Sequence, residues 1–108
     1  MAKYTYALVD ADGNIVGFAT VAVSGHVAEL EDLFVNPESM RQGVARLLVL
    51  DAASLAAVAG IRRIEVTANR HALGFYEKVG FVRDGDAQTQ FGLGLRMHLD
   101  VPDSAPNQ

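Results

Sequence analysis

Two kinds of apolar pattern meet in this chain between Asn36-Pro37 and Gly43, and the junction limits the folds open to it. Before it lie three runs rich in β-branched and aromatic residues, at 4–9, 15–23 and 27–35. Each has the length and composition of a strand. After it, Val44, Leu47, Leu48, Asp51, Leu55 and Val58 recur at spacings of three and four, which predicts a helix. All of these but Asp51 are expected to form one apolar stripe. Gly60 suits the left-handed residue that closes such a helix. A lone glycine, Gly43, sits where the strand hands over to the helix. A helix start has unpaired N–H groups and a partial positive charge of roughly half an electron. Glycine there lets an anion come close to the backbone.

The remaining pattern completes a mixed α/β reading. Asp12-Gly13 marks a hairpin turn and Ser24-Gly25 a second turn. Residues 61–67 read as a strand, 72–79 as a short helix ended by Gly80, and Phe81 opens another strand. Leu95, Met97, Leu99 and Val101 alternate with Arg96, His98 and Asp100, so the last strand buries one face. The order is β-β-β-α-β-α-β-β: a three-strand meander, then crossovers that make part of the sheet parallel. Residues 1–101 are read as one domain, and 102–108 as a polar, flexible tail.

Composition excludes several classes. The chain has 108 residues, which suits one small domain, and 50% hydrophobic with 20% charged residues is a globular composition. With no cysteine, thiol catalysis, disulfides and Cys-ligated zinc are ruled out. A net charge of −4 speaks against nucleic acid as a partner. No apolar run approaches the ~20 residues of a membrane-spanning helix, and the N-terminus lacks a signal-peptide pattern, so a cytoplasmic protein without membrane attachment is expected. His26, His71 and His98 are scattered, and no metal site is expected. The phosphate loop with Gly-Lys-Ser/Thr and the dinucleotide fingerprint with paired glycines are both absent.

Two stretches carry a resemblance. Met40-Arg41-Gln42-Gly43-Val44-Ala45, after a strand and Asn36-Pro37, resembles the Gln/Arg-x-x-Gly-x-Gly/Ala nucleotide loop of the GNAT superfamily of acyl-CoA-dependent N-acetyltransferases. Asn69, Ala72, Phe75, Tyr76, Lys78, Gly80 and Phe81 match that family's Asn-x-x-Ala-x-x-Phe-Tyr-x-Lys-x-Gly-Phe signature. The resemblance implies a GNAT-like fold and acetyl-CoA as cosubstrate. Amides of Arg41, Gln42, Gly43, Val44, Ala45 and Arg46 would cradle the pyrophosphate. The pantetheine arm would run along Leu33, Phe34 and Val35 and enter a gap between that strand and residues 61–67. Asn69 would touch the coenzyme or serve only as a helix N-cap. Met40 stands where the family has Gln or Arg, which removes one side-chain contribution but none of the backbone amides. The chain also begins at what resembles the family's second strand, without the preceding strand and two helices. A start placed too late in the gene would account for that.

The implied reaction acetylates a primary amine of a small molecule or peptide by direct attack. A lysine-like amine has a pKa of about 10.4, so presenting it neutral at pH 7 costs about 4–5 kcal/mol, and a carboxylate must take its proton. Glu29 matches where many family members carry their base. Glu31, two residues on and on the same strand face, is the alternative. Asp32 points away unless a bulge intervenes. Tyr76 matches the general acid that protonates the leaving thiolate. The overall acidity is expected to steer a cationic acceptor. A different reading keeps acyl-CoA binding but no acceptor turnover. A homodimer that covers a free sheet edge is a further expectation.

Overall fold

A computed structural model describes residues 2–101, and the 102–108 tail lies outside the described residues. Strands β1 (Ala2–Val9), β2 (Ile15–Ser24) and β3 (Val27–Val35) form the meander. The turn between β1 and β2 is built by Asp10, whose carboxylate accepts from the N–H groups of Asp12 (2.9 Å) and Asn14 (3.0 Å). Helix α1 (Val44–Val58) follows a short 3-10 turn at Pro37–Ser39. Then come β4 (Arg63–Ala68), a 3-10 turn at Arg70–Ala72, α2 (Leu73–Val79), β5 (Val82–Thr89) and β6 (Gly92–Asp100). The strand order is β1-β2-β3-β4-β6-β5, with β3 and β4 parallel and every other pair antiparallel. The expected element order and mixed sheet are those observed. Phe81 is not the first residue of β5 but a buried core residue just before it.

Both helices cover one face of the sheet. Ala19, Val21, Ala28, Leu30, Ile64, Val66, Ala68, Leu95 and Met97 from the strands pack with Val44, Leu48, Val49, Ala52 and Ala56 of α1 and with Tyr76 of α2. Alternation puts Phe18, Thr20, Glu29, Glu65, Thr67, Arg96 and His98 on the opposite, helix-free face.

The helix stripe differs from its expected position. Leu47, Leu55 and Val58, three members of the expected stripe, are exposed, and α1 turns Val49, Ala52 and Ala56 to the sheet instead. The reason is close approach. At Gly17 the sheet is low enough for Val44 and Leu48 to seat closely, and the helix turns the small Ala52 and Ala56 toward the sheet further along. Apolar residues occur all round α1, so periodicity alone did not decide the face.

A second difference is the register of β3. Thr20 pairs with Asp32 and Val21 with Leu30, which leaves Glu31 as the extra residue of a β-bulge. Strict alternation therefore fails after Leu30. Asp32, across from Thr20, returns to the face that carries Glu29.

A methyl group at Gly17 would lie 2.8 Å from the Phe34 carbonyl oxygen, 3.0 Å from Val44 Cγ1 and 3.1 Å from Leu48 Cδ1. Backbone and core must both give way. Gly17→Ala is therefore expected to cost about 1–3 kcal/mol of stability, read as a lowered urea midpoint with an unchanged slope.

Candidate functional site

The ladder between β3 and β4 has four registers, from Val27 opposite Arg63 to Leu30 opposite Val66. Beyond Leu30 and Val66 the two strands part. Residues 32–35 keep their pairing to β2, Glu31 bulges out of it, and none of the five has a ladder partner on the β4 side. Their N–H and C=O groups on that edge are open to an extended ligand, as a sheet edge is open to an added strand. A cleft of about 130 Å³ occupies the gap, with Glu31, Asp32, Leu33, Thr67, Asn69 and Tyr76 among its walls.

On the helix side lies a wider groove of about 820 Å³. One wall is the turn between β3 and α1, with Met40, Arg41, Gly43, Val44, Ala45 and Arg46. The other comes from the α2 region, with His71, Phe75, Lys78 and Val79. Val35 of β3 also lines this groove, and Leu33 lines the gap. Gly43 takes the left-handed conformation at φ 78°, and Arg41 before it does so at φ 67°. The first helical bond runs from Leu47 N–H to the Gly43 carbonyl at 3.0 Å. The amides of Val44, Ala45 and Arg46 thus have no intrahelical acceptor. Their residues line the same groove as Arg41 and Lys78, and Arg46 is one of them, so free amides and cationic side chains gather there as in an anion site.

The sequence-predicted residues separate into two groups. Gly43, Val44, Ala45, Arg41 and Arg46 come together at the groove, and Glu31, Leu33, Asn69 and Tyr76 at the gap. Gln42 is exposed and is not among the groove's lining residues. Phe34 turns to the helix-free face, its ring 5.5 Å from that of Phe18. Asn69 Oδ1 accepts from Ala72 N–H at 2.9 Å, so it caps the turn before α2 as well as bordering the gap. Glu29 is not a gap residue. Both its oxygens are held by Arg96, at 2.8 and 3.2 Å. Among the described residues, Glu31 pairs only with Lys3 Nζ, at 3.2 Å and exposed.

His71, Phe75 and Lys78 were not expected at the groove. Their spacing of four and three on the α2 segment is the signal that puts them on one side. Among the described residues, no group of three or more His, Cys, Asp or Glu gathers as metal ligands do, and no helix is long and apolar enough to cross a membrane.

Tyr76 is 6% exposed, its ring in edge contact with Phe75 (5.0 Å) and Phe81 (5.2 Å). Burial pushes its phenol pKa above the usual 10. The Arg96 guanidinium is held still more firmly in its charged form, chiefly by its hydrogen bonds to Glu29.

Two neighbouring parallel strands of a mixed sheet thus part beside a helix start whose first amides are unpaired. Residues 1–99 match the family model described as acetyltransferase (GNAT) domain, and the chain belongs to that family. Among solved structures it is similar to a nourseothricin acetyltransferase, with a TM-score of 0.83 and 26% identity over 93% of this chain and 66% of that one. The PaiA N-acetyltransferase from Thermoplasma acidophilum, in complex with coenzyme A, shares the fold at a TM-score of 0.79 and 22% identity, over 93% of this chain and 62% of that one. The ribosomal-protein-S18-alanine N-acetyltransferase from Escherichia coli does so at 0.82 and 23% identity, over 98% of this chain and 74% of its own. The chain thus spans about two thirds of the length of the first of these.

The raised Tyr76 pKa has a consequence for stability. The unfolded phenol loses its proton near pH 10, and the native one only at higher pH. Stability is therefore independent of this group below about pH 10 and falls as pH rises between the two values. Urea unfolding at pH 8 and 11 is expected to show that fall, and Tyr76→Phe is expected to reduce it, the remainder coming from Tyr6, whose phenol pKa burial also raises.

Proposed function

We propose that this chain is an acyl-CoA-dependent N-acetyltransferase, which moves the acetyl group of acetyl-CoA to a primary amine by direct attack in a ternary complex. One observation carries the reading. The opening between β3 and β4 has a carboxylate, Glu31, and a buried phenol, Tyr76, on its walls, and it adjoins a groove furnished for an anion.

The residues divide the work as follows. The amides of Val44, Ala45 and Arg46, with Arg41, Arg46 and Lys78, hold the pyrophosphate of the coenzyme. The free edge of residues 31–35 pairs with the pantetheine amides and leads the thioester into the gap. Glu31 takes the proton of the incoming ammonium, directly or through water, which supplies the neutral nucleophile. Asp32 stands beside it as a second carboxylate. Glu31 is preferred to Glu29 because the Glu29 oxygens are already occupied by Arg96. Tyr76 donates its hydroxyl hydrogen to the departing sulfur. A phenol above pKa 10 gives its proton to a thiolate near 8.5 only uphill, by about 2 kcal/mol or more. Its main contribution is thus a hydrogen bond to developing charge.

The acceptor is a small molecule or a peptide bearing an exposed amine. Binding of acyl-CoA without turnover is the second reading, favoured by the involvement of Glu29 and Glu31 in ion pairs.

Calorimetric titration with acetyl-CoA, coenzyme A and ADP tests the groove. Competitive binding of all three is expected, and no binding to the folded chain would overturn the reading. Gly43→Ala meets nothing within 4 Å, so its structural cost is backbone strain alone, about 1 kcal/mol. It is expected to weaken all three ligands alike.

Steady-state kinetics on an amine panel tests the chemistry. Tyr76→Phe and Glu31→Gln are each expected to lower kcat about 100-fold or more, with acetyl-CoA affinity within about twofold of the parent. A larger loss in Glu29→Gln than in Glu31→Gln would return the base to Glu29. Acetyl-CoA binding without acetylation of any amine would support the second reading.

A further inference from the structure

Glu29 and Glu65 stand directly across from one another in the parallel β3–β4 ladder, one register before the strands part. Like charges facing each other across strands push the pair apart. Arg96 answers this from a third strand. It lies on β6, opposite Thr67 of β4, and its guanidinium reaches over β4 to β3 on the helix-free face. Nη1 donates to Glu29 Oε2 at 2.8 Å and to Thr67 Oγ1 at 2.7 Å. Nη2 donates to Glu29 Oε1 at 3.2 Å and to Glu65 Oε1 at 2.9 Å. One planar group thus joins the next-to-last ladder register, Glu29 with Glu65, to Thr67, the first β4 residue past the ladder.

We propose that Arg96 is a positioning residue that holds β3 and β4 at the separation the gap requires. The inference rests on the reading of that gap as the acyl site. Without the guanidinium, Glu29 and Glu65 face each other uncompensated. Their repulsion carries the parting back through Leu30 and Val66 and frees the Glu29 carboxylate. Arg63 does not replace it. Arg63 lies 3.8 Å from Glu65 and 3.5 Å from Asp100, at the far end of the ladder, and it forms no ion pair with Glu29. Lysine does not replace it either, because one ammonium cannot span Glu29, Glu65 and Thr67 in the fixed fork that arginine provides.

Hydrogen exchange on the ligand-free protein tests this directly. Arg96→Met is expected to speed amide exchange in residues 28–33 and 64–68 by about tenfold or more, with the β1–β2 hairpin unchanged. Arg96→Lys is expected to fall between Arg96→Met and the parent, and it serves if Arg96→Met does not fold. In the triple variant Glu29→Gln, Glu65→Gln, Arg96→Met the repulsion is gone, and exchange is expected to return toward the parent. Where turnover is measured, Arg96→Lys is expected to lower kcat while ADP affinity stays within about twofold, since ADP occupies only the groove. Parental exchange in both single variants, or a rise spread over the whole sheet that the triple variant does not reverse, would overturn the proposal. Failure of the parent to bind acetyl-CoA would sink the acyl-site reading alone, because the exchange result needs no ligand.

Discussion

Backbone hydrogen bonding between β3 and β4 ends at Leu30 and Val66, and the functional geometry follows from where it ends. A longer ladder would close the cleft and satisfy the amides and carbonyls of residues 31–35. A shorter one would split the sheet through its core, because Ala28, Leu30, Ile64 and Val66 all pack under the helices. The bulge at Glu31 belongs to the same device. An extra residue bends and twists its strand. Here it coincides with the point of parting and turns Asp32 to the face of Glu29.

The sheet separates two electrostatic environments. The helix-side groove collects Arg41, Arg46 and Lys78 around unpaired amides, although the whole chain carries a formal charge of −4. On the helix-free face acids predominate, and Arg96 links Glu29, Glu65 and Thr67 across three strands. His98 pairs with Asp84 further along β6. An extended ligand that enters from the groove and passes through the gap would meet cations first and carboxylates last. That order suits an anionic coenzyme on one side and an amine on the other.

The position of the helix-side groove depends on packing at some distance from it. Gly17 lets α1 sit close on the sheet through Val44 and Leu48. Val44 is both the first residue of the helix and a wall of the groove. The depth at which the helix docks therefore sets where its free amides point. Leu47, Leu55 and Val58 are among the apolar side chains left outside by the face that α1 turns to the sheet.

The sequence alone determined the element order and the mixed sheet, and it singled out most of the residues that line the groove and the gap. Those properties rest on local signals: turn dipeptides, alternation, a glycine between strand and helix, and a dense run of matching residues from Asn69 to Phe81. Three features were decided only by the tertiary structure. The buried face of α1 depended on the height of the sheet beneath it, because its apolar residues are distributed all round. The standing of Glu29, Glu31 and Asp32 depended on a bulge whose register is set by β2, a partner outside the local sequence. Arg96 could not be connected to Glu29 from the sequence, because 67 positions separate them and only the strand order brings their side chains together. Local chemistry is written along the chain, whereas which strand lies beside which is settled by burying one common core.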